Sequence, residues 1–127
     1  MARILVAALL LAGGALAAMA PAAQAAELVM FEQAGCRWCR KFDREIAPVY
    51  PRTPEGARAP LRRVDFARPI PPDLAFLKVE RLTPVFVLVE NGREIGRILG
   101  YPGDDHFWGL LAALIARLDA AAAGGKP

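Results

Sequence analysis

Val85-Phe86-Val87-Leu88-Val89 is an unbroken apolar run, and Asn91-Gly92 follows it one residue later. A strand with no polar face must be covered on both sides. Asn-Gly readily takes the positive φ angles of a tight hairpin turn. The chain is therefore expected to fold straight back into a partner strand through Ile95, Ile98 and Leu99. A covered sheet built on this hairpin is the centre around which the rest has to be arranged.

A second short apolar run, Leu28-Val29-Met30-Phe31, ends at the turn signal Gln33-Ala34-Gly35 and reads as another buried strand. Beyond it Cys39, Phe42 and Ile46 recur on one helical face, and Pro48 and Pro51 end that helix. Residues 50–60 are rich in proline and read as a loop with at most one helical turn. Leu61 to Phe66 is a strand candidate. Asp73 is placed to cap a short helix through Leu74, Leu77 and Val79. Gly100 and Gly103 mark a turn, and Asp104 or Asp105 caps a last helix with Phe107, Leu110, Leu111, Leu114, Ile115 and Leu118 at helical spacing. This order predicts an α/β domain: a central mixed β-sheet with helices on both faces. A helical connection makes the first two strands parallel, with a right-handed crossover.

The N-terminus is set apart from this domain. Arg3 precedes an apolar run from Ile4 to Ala20, and Pro21 and Ala23-Gln24-Ala25 supply a break and a small-residue cleavage pattern. Residues 1–25 are expected to be a cleaved signal peptide, 26–119 the folded domain, and 120–127, rich in Ala and Gly, a flexible tail. An uncleaved membrane anchor is the alternative, since the run is nearly long enough to span. Export would place the domain in the periplasm. Removing Arg3 leaves a net charge of about +2, too mild and scattered to argue for nucleic acid as a partner.

The chain has two cysteines, in Cys36-Arg37-Trp38-Cys39, after a strand and at the start of a helix. An exported protein can hold them as a disulfide. So small a ring restrains little chain entropy, which makes it a poor staple and favours chemistry. The N–H groups and partial positive charge of a helix N-terminus stabilise a thiolate on Cys36, and Arg37, Arg40 and Lys41 act in the same direction. Cys36 is expected to be the exposed nucleophile and Cys39 the covered resolving thiol. A zinc site lacks ligands, since His106 is the sole histidine and no further cysteine is present; attached haem would need histidine where Arg40 stands. A purely structural disulfide remains as an alternative.

Cys36-Arg37-Trp38-Cys39, Thr83-Pro84 ahead of the strand Val85 to Val89, the Gly92 hairpin and Gly100 together resemble the thioredoxin superfamily over about Glu27 to Leu118. Phe31 to Cys36, Ala59 to Asp65 and Gly100-Tyr101-Pro102-Gly103 are similar to the small periplasmic thioredoxins of bacterial thiosulfate-oxidation systems. The resemblance implies a thioredoxin fold, a cis bond at Pro84, and substrate docking beside Thr83 and Pro84. Gly100 and Tyr101 would lie in a loop flanking the site, and Arg37 and Trp38 would meet the partner, Trp38 as an exposed contact or as a lid on the disulfide. The sequence departs from many cytosolic relatives in having Arg37-Trp38 for Gly-Pro. It also has Met30 where they carry a buried acid, and Glu32 is expected to point to the other sheet face or the edge.

The expected activity is thiol:disulfide exchange with no cofactor beyond the Cys36–Cys39 disulfide and no metal. The partner would be a periplasmic protein with a disulfide or reactive cysteine, such as a sulfur carrier. A membrane electron donor would re-reduce the protein, which is expected to be a monomer. The alternatives are a Cu(I)-binding module using both thiolates and a non-catalytic adaptor with a fixed disulfide.

Overall fold

The computed structural model describes residues 25–124; the expected signal segment before Ala25, and residues 125–127, lie outside them. The chain forms β1 (Glu27–Glu32), α1 (Arg37–Glu45), α2 (Pro54–Arg58), β2 (Leu61–Asp65), β3 (Val85–Glu90), β4 (Arg93–Leu99) and α3 (Asp104–Gly124), with single 3₁₀ turns at Tyr50–Arg52 and Pro72–Leu74. The sheet order is β2-β1-β3-β4. β1 and β2 are parallel, as the helical connection requires, and the other pairs are antiparallel. The apolar run of β3 is buried along its whole length in the sheet's interior. Asn91 and Gly92 turn the hairpin, both with positive φ.

The two faces of the sheet are covered unequally. Leu28, Met30, Phe86, Leu88 and Ile98 pack against Phe42 of α1, Ile46 at its C-terminal cap, and Phe107, Leu111, Leu114 and Leu118 of α3. On the other face, Val29, Phe31, Val64, Val85, Val87 and Val89 meet Leu74, with Phe66, Leu77 and Val79 at the margin. Helical cover was expected there too, but only the turn at Pro72–Leu74 forms. Asp73, the expected cap, instead holds the Arg62 guanidinium with both carboxylate oxygens, at 2.6 and 3.0 Å.

Residues 50–60 are more ordered than their prolines suggested. Thr53 Oγ1 accepts the Gly56 N–H at 3.0 Å, and Pro54 occupies the first helical turn, so a Thr-Pro pair starts α2. Gly56 lies so close to the Tyr50 carbonyl that an added Cβ would stand 1.9 Å from the oxygen. At the other end α3 continues to Gly124, into the segment expected as tail, as a run of alanines allows. Its buried stripe is Phe107, Leu111, Leu114 and Leu118, while Leu110 is exposed.

Candidate active site

β1 ends, β3 begins and β4 ends at one edge of the sheet, because Phe31 lies opposite Val85 and Val85 opposite Leu99. The connections leaving that edge carry Cys36, Thr83-Pro84 and Gly100-Tyr101. The topology therefore gathers at one end what is scattered along the sequence.

Gly35, with φ +80°, turns the chain out of β1, and Cys36 becomes the N-cap of α1. The sulfurs of Cys36 and Cys39 are bonded, with the Cα atoms 5.3 Å apart. Cys36 Sγ accepts the Cys39 N–H at 3.1 Å. This is the donor arrangement that would hold a thiolate at the same place, since free N–H groups of the first turn converge on the cap. The sharp contrast in exposure expected between the two cysteines is not seen at the residue level: Cys36 is 9% exposed and Cys39 5%.

The Thr83–Pro84 bond is cis, as the resemblance implied. Pro84 is buried and Thr83 half-buried. The Pro84 carbonyl accepts the Gly100 N–H at 2.8 Å, which ties the loop after β4 to the start of β3. Tyr101 is turned inward. It is 5% exposed, its ring meets Phe42 edge-on at 5.7 Å, and its hydroxyl donates to Glu45 at 2.6 Å. It joins the loop to α1 and offers little surface to a substrate. Burial, with help from Glu45, pushes its hydroxyl pKa far up, so it stays a donor. Trp38 is 44% exposed, with the Arg37 guanidinium 5.0 Å and the Lys41 ammonium 5.7 Å from its ring centre. Arg37 is exposed. Away from the site, Trp108 stacks on Tyr50 at 6.0 Å and His106 lies exposed on α3.

Glu32 corrects one expectation. Alternation along β1 puts it on the face of Met30, the α1 side, and it lines a cavity of about 300 Å³ with Cys36, Cys39, Arg40, Asp43 and Asp65. The residue that sequence reasoning missed is Arg63. It donates to Glu32 and to Asp43, each at 2.6 Å, and so clamps β1, β2 and α1 together behind the disulfide. Burial alone would lower the Arg63 pKa; the hydrogen bonds to Asp43 and Glu32 outweigh it and raise it. No local pattern signalled it: Arg63 lies beside Met30 only because β2 pairs with β1 in this register.

A CxxC disulfide at a helix N-terminus, at the same end of a mixed four-stranded sheet as a cis-proline loop, defines a thiol:disulfide oxidoreductase, and the chain belongs to the thioredoxin family. It is similar to the periplasmic thioredoxin SoxS from Paracoccus pantotrophus, solved in its reduced form, at 47% identity and a TM-score of 0.69, over 73% of this chain and 98% of that one. The thioredoxin-2 of a malaria parasite, a component of its protein secretion machinery, shares the fold at 18% identity and a TM-score of 0.53, over 71% and 84% of the two chains. So does the Malassezia sympodialis thioredoxin Mala s 13, at 24% identity and a TM-score of 0.51, over 74% and 76%. No family model matches the chain, and no curated protein does.

Proposed function

We propose that the protein is a periplasmic reductant, which passes electrons from its Cys36–Cys39 thiols to a disulfide or cysteine-bound sulfur adduct on a partner such as a sulfur carrier. The observation that carries the exchange chemistry is the placement of Cys36 Sγ on the open end of α1, within 3.1 Å of the Cys39 N–H; the likeness to a periplasmic thioredoxin supports the reducing direction. The leader-like N-terminus and the likeness to a periplasmic thioredoxin support the compartment.

The Cys36 thiolate attacks one sulfur of the substrate disulfide, and the other sulfur leaves as a thiolate and takes a proton. Cys39 gives up its proton and attacks Cys36 Sγ in the mixed disulfide. The Cys36–Cys39 bond closes, and the second substrate sulfur leaves as a thiol. Two electrons have then moved from the pair to the substrate, and a membrane donor must return them. Thr83, Pro84 and Gly100 lie on connections at the same end of the sheet as the sulfurs and would form the docking edge for an extended substrate segment, while Tyr101 holds that edge against α1.

Equilibration of the pair with glutathione tests the direction. A reductant should have a midpoint of roughly −300 to −200 mV. A value near −120 mV would make it an oxidant, and one well below about −300 mV would leave a structural bridge.

A further inference from the structure

The helix that carries the disulfide is charged in a way that opposes its own formation. Arg37, Arg40, Lys41 and Arg44 recur at i, i+3, i+4 and i+7 and so share one face of α1. Like charges at these spacings repel, and Arg37 also lies in the first turn, where cations are disfavoured and no acid is present. Among the described residues, no carboxylate pairs with Arg37, Arg40 or Arg44, and Lys41 has Glu45 at 3.9 Å. The acids that could balance them are engaged elsewhere: Asp43 and Glu32 on Arg63, and Glu45 on Tyr101. The three arginines are exposed. Beside them Trp38 lies flat under Arg37 and Lys41, an apolar plate inside a cationic border.

We propose that this stripe docks an acidic segment adjoining the reactive cysteine of the protein partner. The proposal rests on the oxidoreductase reading and names the chemistry of its substrate. Tuning of the Cys36 thiolate accounts for Arg37 and in part for Arg40. It does not account for Arg44, eight residues along the helix, about 12 Å away and beyond a Debye length. The distance from Arg37 to Arg44 is about 10 Å, which about three residues of extended chain match. A polypeptide held at Cys36 by its own sulfur can run along this face, with its carboxylates over the arginines and an apolar side chain on Trp38. Local helix rules are broken here beside the reacting atoms, where a partner supplies the missing counter-charge.

The test uses two disulfide-linked peptide dimers of equal length, the cysteine flanked by aspartates in one and by lysines in the other. The reduced protein should reduce the aspartate dimer at least about tenfold faster at low salt, and the gap should close near 1 M salt as screening takes over. Arg40→Gln with Arg44→Gln should shrink the ratio between the two peptides. Equal rates for both peptides, or an equal effect of the variant on both, would overturn the proposal. A second measurement needs no redox chemistry: the oxidised protein is titrated with the aspartate peptide, its cysteine replaced by serine, and Trp38 fluorescence is followed. Saturable, salt-sensitive binding without reduction of either dimer would keep the docking surface and remove the reductant reading. Reduction without binding would do the reverse. Preferential binding to phosphatidylglycerol vesicles would assign the stripe to a membrane and overturn it.

Discussion

α1 and α3 pack on the same face of the sheet and follow opposite rules. α3 spans 21 residues, opens with Asp104 and Asp105 at its positive end, and buries Phe107, Leu111, Leu114 and Leu118 at helical spacing. α1 spans nine residues, has no acid in its first turn, and buries only Cys39 and Phe42 within its span. An acidic first turn and a long apolar stripe are what a stable helix needs. α1 lacks both, and its N-terminus carries the disulfide. The contrast separates the two tasks: α3 and the sheet supply the stability that lets α1 be built for chemistry.

Three substitutions test that comparison. Cys36→Ser is expected to abolish turnover on any disulfide substrate, while costing at most about 2 kcal/mol, because the ring it opens is so small. Cys39→Ser should instead accumulate the mixed disulfide with the partner, visible as a reducible adduct on a gel. Leu111→Ala in α3 should do the opposite. It leaves both sulfurs in place and removes a fully buried side chain, for a loss of about 2–5 kcal/mol in urea denaturation of the oxidised protein. Retained turnover in Cys36→Ser, or a larger stability loss there than in Leu111→Ala, would show that the tasks are not divided in this way.

Tyrosines join both helices to the rest. Tyr50 stacks on Trp108 of α3 and donates to the Ala59 carbonyl at 2.7 Å; Tyr101 reaches α1 through Glu45. Burial raises the pKa of each well above the ordinary tyrosine value, with Glu55 adding to it at Tyr50 and Glu45 at Tyr101. Both are neutral in the folded protein when the unfolded chain begins to ionise, near pH 10. Their contribution is therefore complete below pH 10 and declines as the pH rises from there toward the folded values. Urea midpoints should fall between pH 9.5 and pH 11.5. Tyr50→Phe should be less stable at neutral pH, and its alkaline decline shallower. A midpoint that does not change over that range would contradict the assignment.

What was legible in the sequence follows the same division. β3, its Asn91-Gly92 turn and the stripe of α3 announce themselves through apolar runs and helical period, because in those segments burial dictates residue type. The cysteine pair was also legible, from its spacing after a strand, and the cis bond at Pro84 through the resemblance to thioredoxins. Pairings between distant polar residues were not. Arg62 and Arg63 are neighbours on β2, yet Arg62 holds Asp73 and Glu27 while Arg63 holds Glu32 and Asp43. Which acid each meets depends on β2 being the edge strand next to β1, a fact of topology that no local pattern carries. Asp73 likewise pairs with Arg62 instead of capping a helix, and the second face of the sheet carries a single 3₁₀ turn.

The smallest expected effect tests the comparison at its root. If α1 opposes its own dipole for the sake of the site, then correcting its first turn should stabilise the fold. Arg37→Glu puts an acid at the positive end and replaces its repulsion from Lys41 with attraction. The oxidised protein should gain about 0.3–1 kcal/mol. Asp105→Lys, the mirror change in the first turn of α3, should lose a similar amount. Paired denaturation curves at low salt resolve differences of this size, and both should shrink as salt screens the dipole. Activity should move the other way in α1, since a negative charge beside Cys36 disfavours its thiolate. A stabilised but slower Arg37→Glu would show that the helix gives up stability for reactivity at that position; a destabilised one would mean that Arg37 makes a folding contact that its exposed position conceals.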